Sequence, residues 1–182
     1  MAIRVHMVEE AEAPEDIRRE FAYQVEKNGR ITNMKRTLLQ SLPAYRAYME
    51  WYTLRDEIEP FIGARGVVVF SHAISTQTDC LICSTFFRRY LIDSGENPDD
   101  LALSDTEQLL VDYGRQVAQD PNNVSDALFE RLAARFSEKE IVLLTAFAGI
   151  MIATNIFNNA LRIPLDEVLE CYRAQAPQGD DV

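Results

Sequence analysis

Positive charge is scarce in this 182-residue chain. Its 18 lysines and arginines face 29 aspartates and glutamates, a formal net charge of −11 at pH 7. Nucleic acids demand a basic footprint, so DNA and RNA are excluded as partners, and anionic membrane surfaces are disfavoured on the same ground. No apolar run reaches the roughly 20 residues of a membrane span. The most apolar stretch, Ile141–Ala153, is bracketed by Glu138, Glu140 and Thr154-Asn155. The opening Met1-Ala2-Ile3-Arg4-Val5-His6 has no apolar segment of the signal-peptide kind, so a cytoplasmic protein is expected. Cysteine and histidine number only three and two. Three cysteines are too few for a secreted disulfide framework. Cys80, Cys83, Cys171, His6 and His72 show no zinc spacing, so neither a metal nor a cofactor is expected.

What the chain has is apolar residues, 47% of the total, enough for a globular core. They recur at helical intervals. Pro14 opens a helix with Ile17, Phe21 and Val25 on one side, ended by Asn28-Gly29. Thr32 caps a second, with Met34, Leu38 and Leu39. A third runs from Pro43 to about Glu59, with Ala44, Tyr48, Trp51 and Tyr52 along one side and Pro60 closing it. Val67-Val68-Val69 alone reads as strand, but Phe70, Ala73 and Ile74 continue the helical period, so 63–77 is predicted helical. A cysteine-bearing helix from about Cys80 to Ser94 follows, then a turn-rich connection over 95–100. Ser104-x-x-Glu107 and Ser137-x-x-Glu140 are capping boxes, Ser125 begins a helix between them, and Pro164 opens a last one through Tyr172. Residues 1–13 read as an irregular lead-in and 176–182 as a disordered tail. The prediction is an all-α single domain over residues 1–182, a bundle of about eight helices. Two apolar faces, Ile141–Ala153 and the aromatic side around Trp51, exceed what a monomer of this size hides, so a homo-oligomer is expected. Asn155, Asn158 and Asn159 continue the apolar helix; as buried amides they either tie helices together or approach a site.

The chemistry concentrates at Cys80-Leu81-Ile82-Cys83. With Asp79 as N-cap, Cys80 takes the first helical position and Cys83 lies one turn on. Residues three apart share a helix face, with Cβ atoms roughly 5–6 Å apart, so a disulfide needs only a modest local adjustment. Free backbone N–H groups and the positive end of the helix dipole favour thiolate there. That argument makes Cys80 the more acidic thiol. Zinc would need two further ligands, and a thioredoxin fold would need alternating strands that the chain lacks.

The segment Ser71-His-Ala-Ile-Ser-Thr-Gln-Thr-Asp-Cys-Leu-Ile-Cys-Ser-Thr-Phe-Phe-Arg-Arg, one helix leading into a Cys-x-x-Cys that opens the next, resembles the alkylhydroperoxidase D / carboxymuconolactone decarboxylase-like family. The order of Leu103-Ser-Asp-Thr-Glu-Gln, Val124-Ser-Asp-Ala-Leu-Phe, Phe136-Ser-Glu-Lys-Glu-Ile and Asn155-Ile-Phe-Asn-Asn-Ala-Leu-Arg-Ile-Pro is similar to that of its peroxidase-related branch. The likeness runs from about Pro14 to Tyr172. It implies an all-helical, homo-oligomeric subunit whose dithiol reduces a hydroperoxide substrate. It also implies that Cys83 attacks the peroxide, that Cys80 resolves the sulfenic acid as a disulfide, and that an external dithiol reductant or redox partner protein resets the pair. The family's proton relay uses a glutamate and a histidine at positions held here by Val68 and Phe87, neither of which moves a proton. His72, one turn nearer the cysteines than Val68, is the candidate base, or else a structural histidine. Arg88 and Arg89 add positive potential or pair on the surface. A redox-responsive or structural oligomer with little turnover is the alternative, and the decarboxylase activity ranks below both.

Overall fold

A computed structural model describes residues 2–174. Among the described residues the regular structure is helical throughout: α1 (Glu15–Asn28), α2 (Asn33–Leu38), α3 (Leu42–Gln77), α4 (Leu81–Asp93), α5 (Asp105–Gln119), α6 (Asp126–Arg135) and α7 (Glu138–Leu161). Three 3₁₀ turns, Glu10–Glu12, Pro121–Asn123 and Glu167–Tyr172, complete it. The fold is all-α, as the periodicity predicts.

The helix starts follow from the cap residues. The side chains of Thr32, Ser41, Ser104, Ser125 and Ser137 each accept a first-turn backbone N–H. Both predicted capping boxes form, with Glu107 and Glu140 returning to the cap nitrogens. Gly29 closes α1 in the left-handed region, at φ 70°.

α3 is the axis of the molecule and packs against α5, α7 and α4. Its Phe70 stacks on Tyr113 of α5 at 6.4 Å and on Phe147 of α7 at 6.0 Å. Gly114 allows this approach, since a Cβ there would lie 2.9 Å from the Phe70 ring. Cys80 and Cys83, at the start of α4, belong to the same core, with Val67, Ile74, Leu110, Leu144 and Met151. A second, smaller core of Phe21, Leu38, Leu39 and Tyr45 fastens α1 and α2 to the start of α3. By length and composition alone α7 could cross a membrane. Here its Ile141, Leu144, Phe147, Ala148 and Met151 are buried in the helical core.

Several boundaries differ from those read in the sequence. Helix continues through Pro60, and the break falls at Gly63 (φ 76°, ψ 161°), which only glycine adopts readily. The predicted third and fourth helices are therefore two halves of α3. Asp79 is not an N-cap: it takes φ 50°, and Cys80 is the cap. After Pro164 the chain forms the 3₁₀ turn Glu167–Tyr172 rather than an α-helix, and the Asp166 side chain before it makes no cap bond. The predicted tail at 176–182 lies outside the described residues.

Candidate functional site

The site sits at the corner between α3 and α4. Thr78 ends α3, and Asp79 reverses the chain in the left-handed region, which aspartate tolerates better than most residues. The Cys80 N–H then donates back to the Ser75 carbonyl at 3.0 Å. Three asparagines of α7 clasp this corner. Asn155 Nδ2 donates to Thr78 Oγ1 at 2.7 Å, and Asn159 Nδ2 to the Thr78 carbonyl at 3.0 Å. Asn158 Nδ2 donates to Cys83 Sγ at 3.3 Å and lies 3.8 Å from Cys80 Sγ. The sequence left two roles open for these amides, and they fill both. The Asn158 Oδ1 is buried with no partner among the described residues.

Cys80 and Cys83 are free thiols, buried to 1% and 7% exposure; Cys171 is free and exposed. Their shared environment separates the two acidities. The Cys83 thiol, able to donate to a Cys80 thiolate, is the main influence lowering Cys80 to about 7. The first-turn N–H groups of Cys83 and Ile82 and the Asn158 amide act in the same direction, against burial. Cys83, as that donor and in a dry setting, is raised well above an ordinary thiol. A single negative charge in the pair thus rests on Cys80.

Cys83, and not Cys80, lines the chamber beside this corner. This space of about 110 Å³ lies between α2, α3, α4 and α7, walled by Met34, Trp51, Phe86, Phe87 and Met151. A larger cavity of about 560 Å³ adjoins it and shares Thr32, Lys35, Trp51, Tyr52, Phe86 and Phe87. Trp51 is held edge-on to Tyr52 at 5.0 Å and packs on Phe87 at 6.4 Å.

Lys35 is the residue that sequence reasoning missed. It is only 5% exposed and lines both spaces. Its Nζ donates to Gln24 Oε1 and, at 2.9 Å, to Tyr52 Oη, which leaves one ammonium hydrogen for the cavity. Burial pushes it down to about 8, against the pull of nearby Asp166. Asp166 also lines the chamber; burial raises its carboxyl, while the Asn33 N–H bound to Oδ1 at 2.9 Å opposes that. In sequence Lys35-Arg36 looks like a solvated pair on a short helix. The usable signal was Thr32, which places Lys35 at the third helical position, facing inward with Leu38 and Leu39.

The structure brings Val68 and Phe87 together on the outer cavity, with Lys35. His72 lines neither space. It lies near the bidentate Arg88–Asp99 ion pair, and burial, reinforced by Arg88, lowers it to about 4. Among the described residues it makes no hydrogen bond to either cysteine. Arg89 instead stacks over Phe86 and Tyr90 and reaches the outer cavity.

An all-helical chain with a Cys-x-x-Cys at the corner of two core helices is the class defined so far. Comparison with solved structures makes it more particular: the fold is alkylhydroperoxidase D-like. An uncharacterized peroxidase-related protein from Silicibacter sp. TM1040 matches with a TM-score of 0.72 at 13% identity, over 92% of this chain and 93% of that one. An uncharacterized peroxidase-related protein from Ralstonia eutropha JMP134, described as an alkylhydroperoxidase AhpD core, matches with a TM-score of 0.70 at 20% identity, over 92% and 94%. The uncharacterized protein YnjA of Escherichia coli K12 is 39% identical over 61 residues, about a third of the length of each chain (34%). No family model matches.

Proposed function

We propose that the protein is a thiol-dependent peroxidase of the alkylhydroperoxidase D-like family. One observation carries the reading: two free thiols start a core helix, and Cys83, not Cys80, lines the chamber between α2, α3, α4 and α7. Cys83 is the peroxidatic residue and Cys80 the resolving one.

At rest Cys80 holds the charge and Cys83 the shared proton. Passing that proton to Cys80 puts the thiolate on Cys83. Its sulfur attacks the terminal oxygen of the hydroperoxide; the O–O bond breaks, giving Cys83 sulfenic acid and an alkoxide. The Lys35 ammonium gives the alkoxide a proton, which releases the alcohol and leaves a neutral amine. Cys80 then displaces water from the sulfenic acid, and the Cys80–Cys83 disulfide forms. Asn158 supports the thiolate by hydrogen bonding. Lys35 takes the acid role because it lines the chamber; His72, the base expected from the sequence, lines neither space and has no part in this scheme. A reductant outside the chain, a dithiol or a redox partner protein, restores the pair, and a cytoplasmic homo-oligomer is the form proposed.

The test is thiol titration with peptide mapping after one equivalent of organic hydroperoxide. Two thiols should disappear within seconds, with Cys80 joined to Cys83 and Cys171 still free. No disulfide, or one involving Cys171, sinks the reading. The apolar residues at Val68 and Phe87 favour a second reading, a redox-responsive oligomer with little turnover. In that case the same disulfide forms over minutes and no dithiol sustains steady peroxide consumption.

A further inference from the structure

The outer cavity differs in charge from the rest of this acidic chain. Arg30, Arg55, Arg89 and Lys35 line it, against the single carboxylate of Glu59. Elsewhere some arginines are matched to acids, Arg36 with Glu9, Arg65 with Glu96 and Glu107, Arg88 with Asp99 and Arg131 with Asp112, while Arg4, Arg18, Arg46, Arg115, Arg135 and Arg162 form no ion pair among the described residues. At the cavity Arg55 is paired with Asp56. Arg30 and Arg89 are not paired: among the described residues neither has a carboxylate within ion-pair distance. Both are half-buried, and the Arg89 guanidinium lies over Phe86 and Tyr90, its Cζ 5.1 and 4.6 Å from the ring centroids. Cation–π contact of this kind localises the guanidinium and uses none of its N–H donors, so they stay available to an incoming acceptor. Carboxylates recognise the guanidinium fork in a bidentate manner. The wall between these arginines and Cys83 is aromatic, formed by Trp51, Phe86 and Phe87. The two adjoining spaces therefore have arginines at the outer end, aromatic rings between and a thiol at the inner end.

We infer that this site takes an organic hydroperoxide bearing a carboxylate, with the carboxylate at Arg30 and Arg89 and the peroxide at Cys83. The inference rests on the peroxidase reading and adds the class of substrate. The chain as a whole repels anions at net charge −11, so a preference for the charged substrate can arise only at this cavity.

Single-turnover rapid mixing tests it, with pre-reduced protein and no reductant present, so that only the oxidising half-reaction is read. Trp51, the one tryptophan in the chain, packs on Phe87 beside Cys83 and reports the change, with acid-quenched thiol counting as a second measure. The probes are an aryl hydroperoxide with a para carboxylate and its methyl ester. The expected result is a second-order rate constant about tenfold higher for the acid, the scale of one charge-assisted hydrogen bond. That ratio should shrink in about 0.5 M salt and fall to near unity in the Arg30→Gln/Arg89→Gln double variant. Equal oxidation by acid and ester in the wild type, or a ratio that survives the double variant, overturns the inference and leaves the peroxidase reading standing. Failure of both hydroperoxides to oxidise the protein overturns the two together.

Discussion

A protonated amine at Lys35 is held in a setting that favours losing the proton, and this fixes the pH behaviour of the proposed reaction. The active form has lost one proton from the cysteine pair and kept the one on Lys35. The Cys83 donor lowers Cys80 to about 7 and burial lowers Lys35 to about 8, so kcat/KM should climb through the first value and decline through the second. Lys35→Arg keeps the charge but cannot give up the proton. It should abolish the alkaline limb and slow peroxide reduction by about 10²-fold or more. A stopped-flow pH series on both proteins decides it; an alkaline limb that persists in Lys35→Arg assigns that limb elsewhere. His72→Phe should leave the rate unmoved. His72 affects stability instead. Its folded value, about 4, lies below its ordinary 6.5, so the unfolded chain takes up a proton first on acidification. The stability present above pH 6.5 is then lost as pH falls towards 4, and His72→Phe should flatten that loss in urea titrations at pH 7 and 5.

Among the elements, the contact of α3 with α5 governs the rest, because α3 carries the corner into α4. Gly114→Ala would set a methyl group 2.9 Å from the Phe70 ring and 3.0 Å from Ile74. The expected cost is about 1–3 kcal/mol, read as a lowered Tm by circular dichroism, with slower disulfide formation as the corner shifts. An unchanged Tm would mean that α5 slides freely on α3. Elements of this kind were legible where chemistry is local. The Ser104 and Ser137 boxes, the Thr32 cap and the Gly29 stop all form as read. The corner itself was misplaced by one residue, because Asp79 has two local uses, N-cap and left-handed turn, and only packing against Asn155 and Asn159 selects between them. Pro60 looked like a stop because it lacks an N–H, yet the helix lost only that bond and broke at Gly63. For Lys35 the Thr32 cap gave the direction it faces but not its burial, which comes from packing of α1 and α3 around it through Gln24 and Tyr52. Cys80 and Cys83 were legible because their spacing is itself the chemistry.

For the whole molecule, the outer side of α7 is the feature that its own core leaves unfilled. Val142 and Ile156 are 66% and 60% exposed, and Thr145, Ala146 and Gly149 lie exposed between them. Helices meet closely across small residues of this kind, and the proposed homo-oligomer would bury the strip against a second copy. Light scattering at micromolar concentration should give at least twice the chain mass. Val142→Glu with Ile156→Glu should lower that mass without loss of helicity. A wild-type mass equal to one chain would remove the oligomer from the proposal.

The amide of Asn158 also has an electrochemical meaning. Its Nδ2 lies 3.8 Å from Cys80 Sγ, the charged sulfur of the dithiol state, and its own oxygen has no partner among the described residues. Closing the Cys80–Cys83 bond removes the charge and devalues that contact, so the surroundings favour the electron-rich form. The midpoint potential of the couple should therefore lie on the oxidising side for a protein disulfide, and a mild dithiol should suffice to recharge it. Asn158→Ala should shift the potential downward by about 30–60 mV, the equivalent of one hydrogen bond to a charged group. Equilibration in glutathione redox buffers, followed by Trp51 fluorescence, measures it; a shift upward would mean that Asn158 serves the disulfide better than the thiolate.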